Sequence, residues 1–316
     1  MARIYPFQPL RYTAQAGPLG NLVTQPYDKI TPAMRRRYLS RSPYNLVRVI
    51  LGERTPADDD ADNVYTRAAR HLDDWIRAGM LVRDRESGVF PYFQEFTVPD
   101  SGERVVRKGF IALGALEEYS AGVVYRHEQT LSGPKQDRLE LLRHTHAHFG
   151  QLFMLYPDPA GAVDALLEEA AAAPPLTEVE DEYGAIHRVW RITATARIQE
   201  LMSDKKLLIA DGHHRYETEL SFRNENPGLA GAGRVMMTLV NMHSPGVSAS
   251  CRAGAPCSPP SAPIPWRRSP QSIPPNSGKV PSKGSRRPNP PTMPGPRPRS
   301  SRCSPSASHR PQPWPS

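Results

Sequence analysis

Apolar and polar positions change period along the chain, and the changes mark out a mixture of helices and strands. Val64, Ala68, Leu72 and Trp75/Ile76 recur at helical spacing behind the acidic stretch Asp58-Asp59-Asp60. They predict an amphipathic helix whose apolar stripe belongs to a core. Residues 1–30 read as extended segments punctuated by Pro9, Gly17-Pro18, Gly20 and Pro26. Thr31-Pro32 then reads as an N-cap with proline at the first helical position, opening a short helix to about Ser40. Residues 88–98 and 104–116 are strand-like and joined through Pro99-Asp100-Ser101-Gly102, so an antiparallel hairpin is expected there. Further strands are predicted over 45–51, 151–156, 186–192, 206–210 and 235–242, and helices over 136–148, 160–172, 194–202 and 216–224. No internal repeat is present. This order of elements indicates an α+β fold with a mixed sheet rather than a doubly wound parallel sheet.

The pattern stops after Ser244. Residues 245–316 hold 20 of the 35 prolines, 15 serines and 11 Lys and Arg without one Asp or Glu. The net charge of +8 therefore divides into +11 for this tail and −3 for residues 1–244. Such a tail cannot bury enough apolar surface to offset its ordering entropy, which predicts disorder. One reading makes it a basic arm for nucleic acid or for proline-recognising modules. The stronger reading is a frameshift near codon 245, because the buried-strand pattern Met236-Met237-Thr238-Leu239-Val240-Asn241-Met242 runs straight into Pro/Arg/Ser text. On that reading the folded unit is incomplete, and one of the other two DNA frames should continue a patterned, acid-containing chain. All three cysteines lie in the tail, so the body has no disulfide framework or thiolate chemistry. The N-terminus lacks an apolar leader core, and no run approaches the roughly 18 apolar residues of a membrane span. A cytoplasmic protein with no membrane partner is expected. The acidic body argues against a nucleic-acid partner for residues 1–244, and no feature specifies an oligomeric state.

Chemistry concentrates in two places. The apolar strand Lys206-Leu207-Leu208-Ile209-Ala210 runs into Asp211-Gly212-His213-His214-Arg215-Tyr216-Glu217. A loop opening into a helix presents backbone N–H groups and the positive dipole end to an anion. Gly212 permits close backbone approach, Asp211 could orient a hydroxyl or hold a metal, and Arg215 could add a bidentate fork. The competing reading is a polar loop whose histidines cap a helix and whose Arg215 pairs with Glu217 or Glu219. The second cluster is Val124-Tyr125-Arg126-His127-Glu128, followed by Lys135, Asp137 and Arg138. An imidazole beside a carboxylate suits a general base, and Lys135 and Arg138 suit phosphate clamps if they converge on it. His144, His146 and His148 alternate on a predicted helix, where only His144 and His148 share a face, and read as surface or satisfied histidines. Arg35-Arg36-Arg37 reads as a solvated face, and Pro26-Tyr27-Asp28 is ambiguous by chemistry alone.

Pro6-Phe7, Pro26-Tyr27-Asp28, Asn45, His127-Glu128, Lys135 with Asp137-Arg138, and Asp211-Gly212-His213-His214-Arg215-Tyr216-Glu217, in that order, resemble domain-of-unknown-function family 1015 over about residues 3–244. The strand, Asp-Gly-His-His-Arg and helix segment is also similar to the phosphate-binding segment of ParB and sulfiredoxin-like domains, including a free-serine kinase with ADP as donor. That similarity implies that Arg215 and nearby backbone N–H groups, with Gly212, His214, Lys135 and Arg138, contact a nucleotide, ADP or ATP with Mg2+. It also implies that Asp211 or a histidine such as His213 holds the magnesium or the acceptor, with Glu128 and His127 at the acceptor hydroxyl. The expected partners are a nucleotide and a small hydroxyl-bearing substrate. Two alternatives stay open: a ParB-like nucleotide-switched DNA-binding regulator, although no basic recognition helix stands out, and a metal-dependent hydrolase using His127, Glu128, His213 and His214.

Overall fold

The strands and helices alternate irregularly along the chain. The computed structural model describes residues 1–99, 101–127, 132–244 and 246–247, with the backbone alone of 132–134 and of 266–267. The order is β1 (Ile4–Tyr5), β2 (Leu10–Tyr12), α1 (Pro32–Arg41), α2 (Val47–Ile50), α3 (Val64–Arg77), β3 (Leu81–Arg83), β4 (Phe90–Thr97), β5 (Arg104–Ala115), β6 (Val124–Tyr125), α4 (Ser132–Thr145), β7 (Ala147–His148), β8 (Leu152–Tyr156), α5 (Ala162–Ala171), β9 (Thr177–Glu180), β10 (Ile186–Val189), α6 (Ala196–Met202), β11 (Leu207–Asp211), α7 (His213–Glu225) and β12 (Arg234–Asn241). Apart from the backbone of 266–267, the tail after residue 247, with the disorder and frameshift expectations and all three cysteines, lies outside the described residues.

Eight strands form one mixed sheet in the order β6-β11-β8-β12-β5-β4-β10-β9, and β1 pairs with the end of β5. The β6/β11 and β8/β12 pairs are parallel; β11/β8, β12/β5, β5/β4, β4/β10 and β10/β9 are antiparallel. The fold is α+β. Central β12 is buried on both faces, which is why its sequence is a continuous apolar run rather than an alternating one. Val235, Met237 and Leu239 pack with Val163 and Leu167 of α5, Ile198 and Met202 of α6, and Tyr216 and Leu220 of α7. Met236 faces the other way, toward Phe7, Phe90 and Ile111.

A second, helical core joins Leu46, Val49 and Ile50 to Ala68, Leu72 and Trp75 of α3 and to Leu141 and Phe149. Helix α3 starts where its sequence says it should: Asn63 Oδ1 accepts from Thr66 N at 3.1 Å and Thr66 Oγ1 accepts from Asn63 N at 2.8 Å, a reciprocal cap. Thr31 Oγ1 likewise accepts from Met34 N at 3.2 Å, with Pro32 opening α1.

Three predicted elements differ. Residues 45–51 are not a strand but carry the single turn α2. Asn45 Oδ1 accepts from Val47 N at 3.0 Å, its Nδ2 donates to the Asn21 carbonyl at 2.7 Å, and Leu46, Val47, Val49 and Ile50 are all buried. Tertiary packing thus overrides the strand preference of Val and Ile. Helix α4 ends at Thr145, where His146 takes a left-handed φ of 50°, so His148 sits in β7 rather than on a helix face. Helix α7 begins at His213, three residues before the predicted start, so both histidines and Arg215 occupy its first turn. Among the described residues no helix is long and apolar enough to cross a membrane.

Candidate functional site

Strand β11 delivers Asp211 at its end, and Gly212 makes the turn into α7 with φ 100°, ψ 26°. A side chain is excluded there twice over. The φ lies in the left-handed region, and a Cβ would stand 2.9 Å from Leu152 Cδ2 and 3.1 Å from Arg215 Nη2. Arg215 turns back along its helix: Nη2 donates to Asp211 Oδ2 at 2.6 Å, and Nη1 donates to the Gln151 carbonyl at 2.5 Å. A Cβ on Gly150 would lie 2.9 Å from Nη1. One guanidinium is therefore seated against two glycines from different loops and held by a carboxylate and a carbonyl. Its expected alternative partners are engaged elsewhere: Glu217 with Lys135 and with Arg126 at 3.3 Å, Glu219 with His148 at 2.9 Å.

Arg215 lines a small cleft of about 60 Å³, open to solvent, with Tyr27, Arg138, His148, Thr218 and Glu219; Ile50, Leu141, Leu142 and Phe149 form its apolar wall. Arg138 projects from α4, its Cζ 4.3 Å from the centre of the Tyr27 ring. It bonds Asp137 Oδ2 through Nε at 3.0 Å and donates Nη1 to the Ile50 carbonyl at 2.9 Å. Burial pushes the Tyr27 phenol up, while the Arg138 and Arg215 charges pull it down. Burial would also raise the Asp137 carboxyl, but the Arg138 charge and bonds from Arg138, Tyr65 and Arg54 outweigh it and hold it below its usual range. The side chains of Arg138 and Arg215 are 12 % and 19 % exposed, enough to reach a ligand yet shielded from bulk screening.

The remaining predicted residues gather on a neighbouring face of α7. The His127 and His213 rings meet edge to face, 4.6 Å between centroids, with His213 buried. Lys135 pairs with Glu217, and Arg126 stacks 4.6 Å over Tyr119. Burial first, then the Glu217 charge, push the Tyr119 phenol up to about 12. Thr218 donates its hydroxyl to the His214 carbonyl at 2.8 Å, with the Lys135 carbonyl 3.4 Å from the same oxygen. Arg138 and Arg215 thus both line the cleft, whereas Lys135, His127 and His213 are not among its lining residues. Glu128 lies outside the described residues. Among the described residues no group of three or more His, Cys, Asp or Glu is placed to hold a metal ion, and Asp211 spends one oxygen on Arg215.

Tyr27, Gln151, His148 and Glu219 were not singled out as site residues from sequence. Glu219 could have been found, since it stands four positions after Arg215 on a predicted helix; His148 could not, because the helix pattern ran past the break at His146.

The architecture defines an α+β protein with a cleft flanked by two guanidinia beside a strand, glycine, helix turn. The chain belongs to the family described as protein of unknown function (DUF1015), whose family model matches residues 4–249. No curated protein and no solved structure matches the chain.

Proposed function

We propose that the cleft binds the phosphate groups of a nucleotide, ADP or ATP with magnesium, and that the protein transfers a phosphoryl group to a small hydroxyl-bearing metabolite. The observation that carries this reading is that Arg138, stacked over the Tyr27 ring, and Arg215, from a different helix, line one cleft. Planar guanidinia suit phosphate oxygens because they offer paired donors in a fixed fork. The apolar wall formed by Ile50, Leu141, Leu142 and Phe149 is suited to a base. The likeness of the strand, Asp-Gly-His-His-Arg and helix segment to the phosphate-binding segment of ParB and sulfiredoxin-like domains supports the same reading. Asp211, whose Oδ2 accepts from Arg215, has its second carboxylate oxygen to offer, in keeping with how magnesium is held by one or two carboxylates, phosphate oxygens and water. Bound there, the ion would neutralise charge on the transferring group. Arg215, fixed by Asp211, Gln151 and the two glycines, would meet that group without rearrangement, which is how electrostatic stabilisation is most effective.

The test is calorimetric titration of ADP and ATP, each with magnesium, into the full chain and into Arg215→Ala and Arg138→Ala, with circular dichroism confirming the fold. A charge-assisted hydrogen bond contributes about 1.5–3 kcal/mol, so each variant should lose roughly ten- to a hundredfold in affinity. Unchanged affinity in both folded variants would overturn the reading.

A further inference from the structure

The cleft holds a carboxylate as well as two guanidinia. Glu219 stands one turn beyond Arg215 on α7, so their Cβ atoms lie about 5–6 Å apart on one helix face, and both line the cleft with Arg138. Glu219 is not the counter-ion of Arg215, whose two terminal nitrogens go to Asp211 and the Gln151 carbonyl. Its partner is His148, buried in the cleft wall, whose Nε2 lies 2.9 Å from Glu219 Oε2. A carboxylate has about four acceptor positions, and one bond from an imidazole N–H leaves most of them for other donors. The Glu219 side chain is only 12 % exposed, so a donor reaching it from the cleft would meet a partly desolvated acceptor.

The cleft therefore has an anion-attracting end and, one helical turn away, a hydrogen-bond-accepting end that repels a second anion. We infer that its ligand is bifunctional: besides the phosphate taken by Arg138 and Arg215 it carries a hydroxyl a few bonds away that donates to Glu219. His148 is the positioning residue that fixes the carboxylate. This rests on the anion-binding reading of the same cleft and adds to it which chemical class the protein selects.

The experiment is titration of n-propyl phosphate and glycerol 3-phosphate, which match in length and charge and differ in hydroxyls, into the full chain. A hydrogen bond to a charged group should favour glycerol 3-phosphate by about tenfold or more. In Glu219→Ala that preference falls below about threefold while propyl phosphate affinity holds or rises, because a like charge has gone. Glu219→Gln, which keeps the cleft shape, should lower the preference in the same direction and covers the case in which the alanine variant fails to fold. His148→Gln, able to donate from nearly the same place, should retain the preference, and His148→Phe should lose it. Equal affinity for the two phosphates in the parent, or a preference surviving both Glu219 substitutions, would overturn the inference while leaving the anion site standing. Binding of neither phosphate by a folded parent would overturn both.

Discussion

Replacing Gly212 by alanine should damage stability and ligand affinity together, and Gly161 provides the control. Both glycines precede helices with left-handed φ, 100° and 64°. A Cβ at Gly161 meets nothing within 4 Å, whereas at Gly212 it stands 2.9 Å from Leu152 Cδ2, 3.1 Å from Arg215 Nη2 and 3.2 Å from Arg215 Cζ. Gly161→Ala thus carries the conformational cost alone, about 1–2 kcal/mol. Gly212→Ala adds displacement of a packed leucine and a fixed guanidinium, and overpacking of this kind costs roughly 1–3 kcal/mol more. The expected totals are about 1–2 and about 2–5 kcal/mol. For a body of this size each kcal/mol lowers the melting temperature by about 2–4 °C. Thermal unfolding followed by circular dichroism resolves that difference. Calorimetry on the same samples should show Gly212→Ala, and not Gly161→Ala, weakening ADP binding, because only the former moves Arg215. Equal destabilisation with equal ADP affinity would refute the argument that the glycine exists to seat Arg215.

Three further outcomes are expected. Asn45→Ala should destabilise by roughly 1–3 kcal/mol in urea unfolding, since Asn45 is fully buried and its loss leaves the Asn21 carbonyl and the Val47 N–H without their side-chain partner. Asn63→Ala removes the cap of α3 and should cost about 0.5–2 kcal/mol, whereas Asn63→Asp should be close to neutral. Burial tends to raise the Asp181 carboxyl, but bonds from His187 and the Ala185 and Tyr183 N–H groups outweigh it and hold it below its usual range. A depressed folded-state pKa gives stability that is present above the unfolded value of about 3.9 and is lost as pH falls through the folded one. Asp181→Asn should therefore flatten the acid limb of the stability profile below about pH 4.

Elements whose signal is local were legible in the sequence. The α3 stripe, the Thr31-Pro32 start and the β4/β5 hairpin each depend on neighbours within a few residues, and each formed as the pattern implies. Where tertiary contacts decide, the pattern misled. Asn45 to Leu51 carries strand-type residues but has no strand neighbour, and Asn45 turns it into a helix by binding across to Asn21. Two-residue strands such as β6 exist only through their partners, here β11, and have no period of their own. The same limit applied to the site. Arg215, Gly212 and Asp211 announced themselves as a dense loop, and Arg138 as a basic residue beside an acid. That Arg138 reaches the ring of Tyr27, or that His148 closes on Glu219, depends on contacts between distant stretches that no local spacing encodes.

The most direct test of the central claim is a crystal structure of the full chain with ADP and magnesium. Phosphate oxygens should lie about 2.7–2.9 Å from nitrogens of both Arg138 and Arg215, in the cleft beside Tyr27. Phosphates ordered instead against Lys135 and Arg126 on the neighbouring face, with the cleft guanidinia untouched, would contradict it.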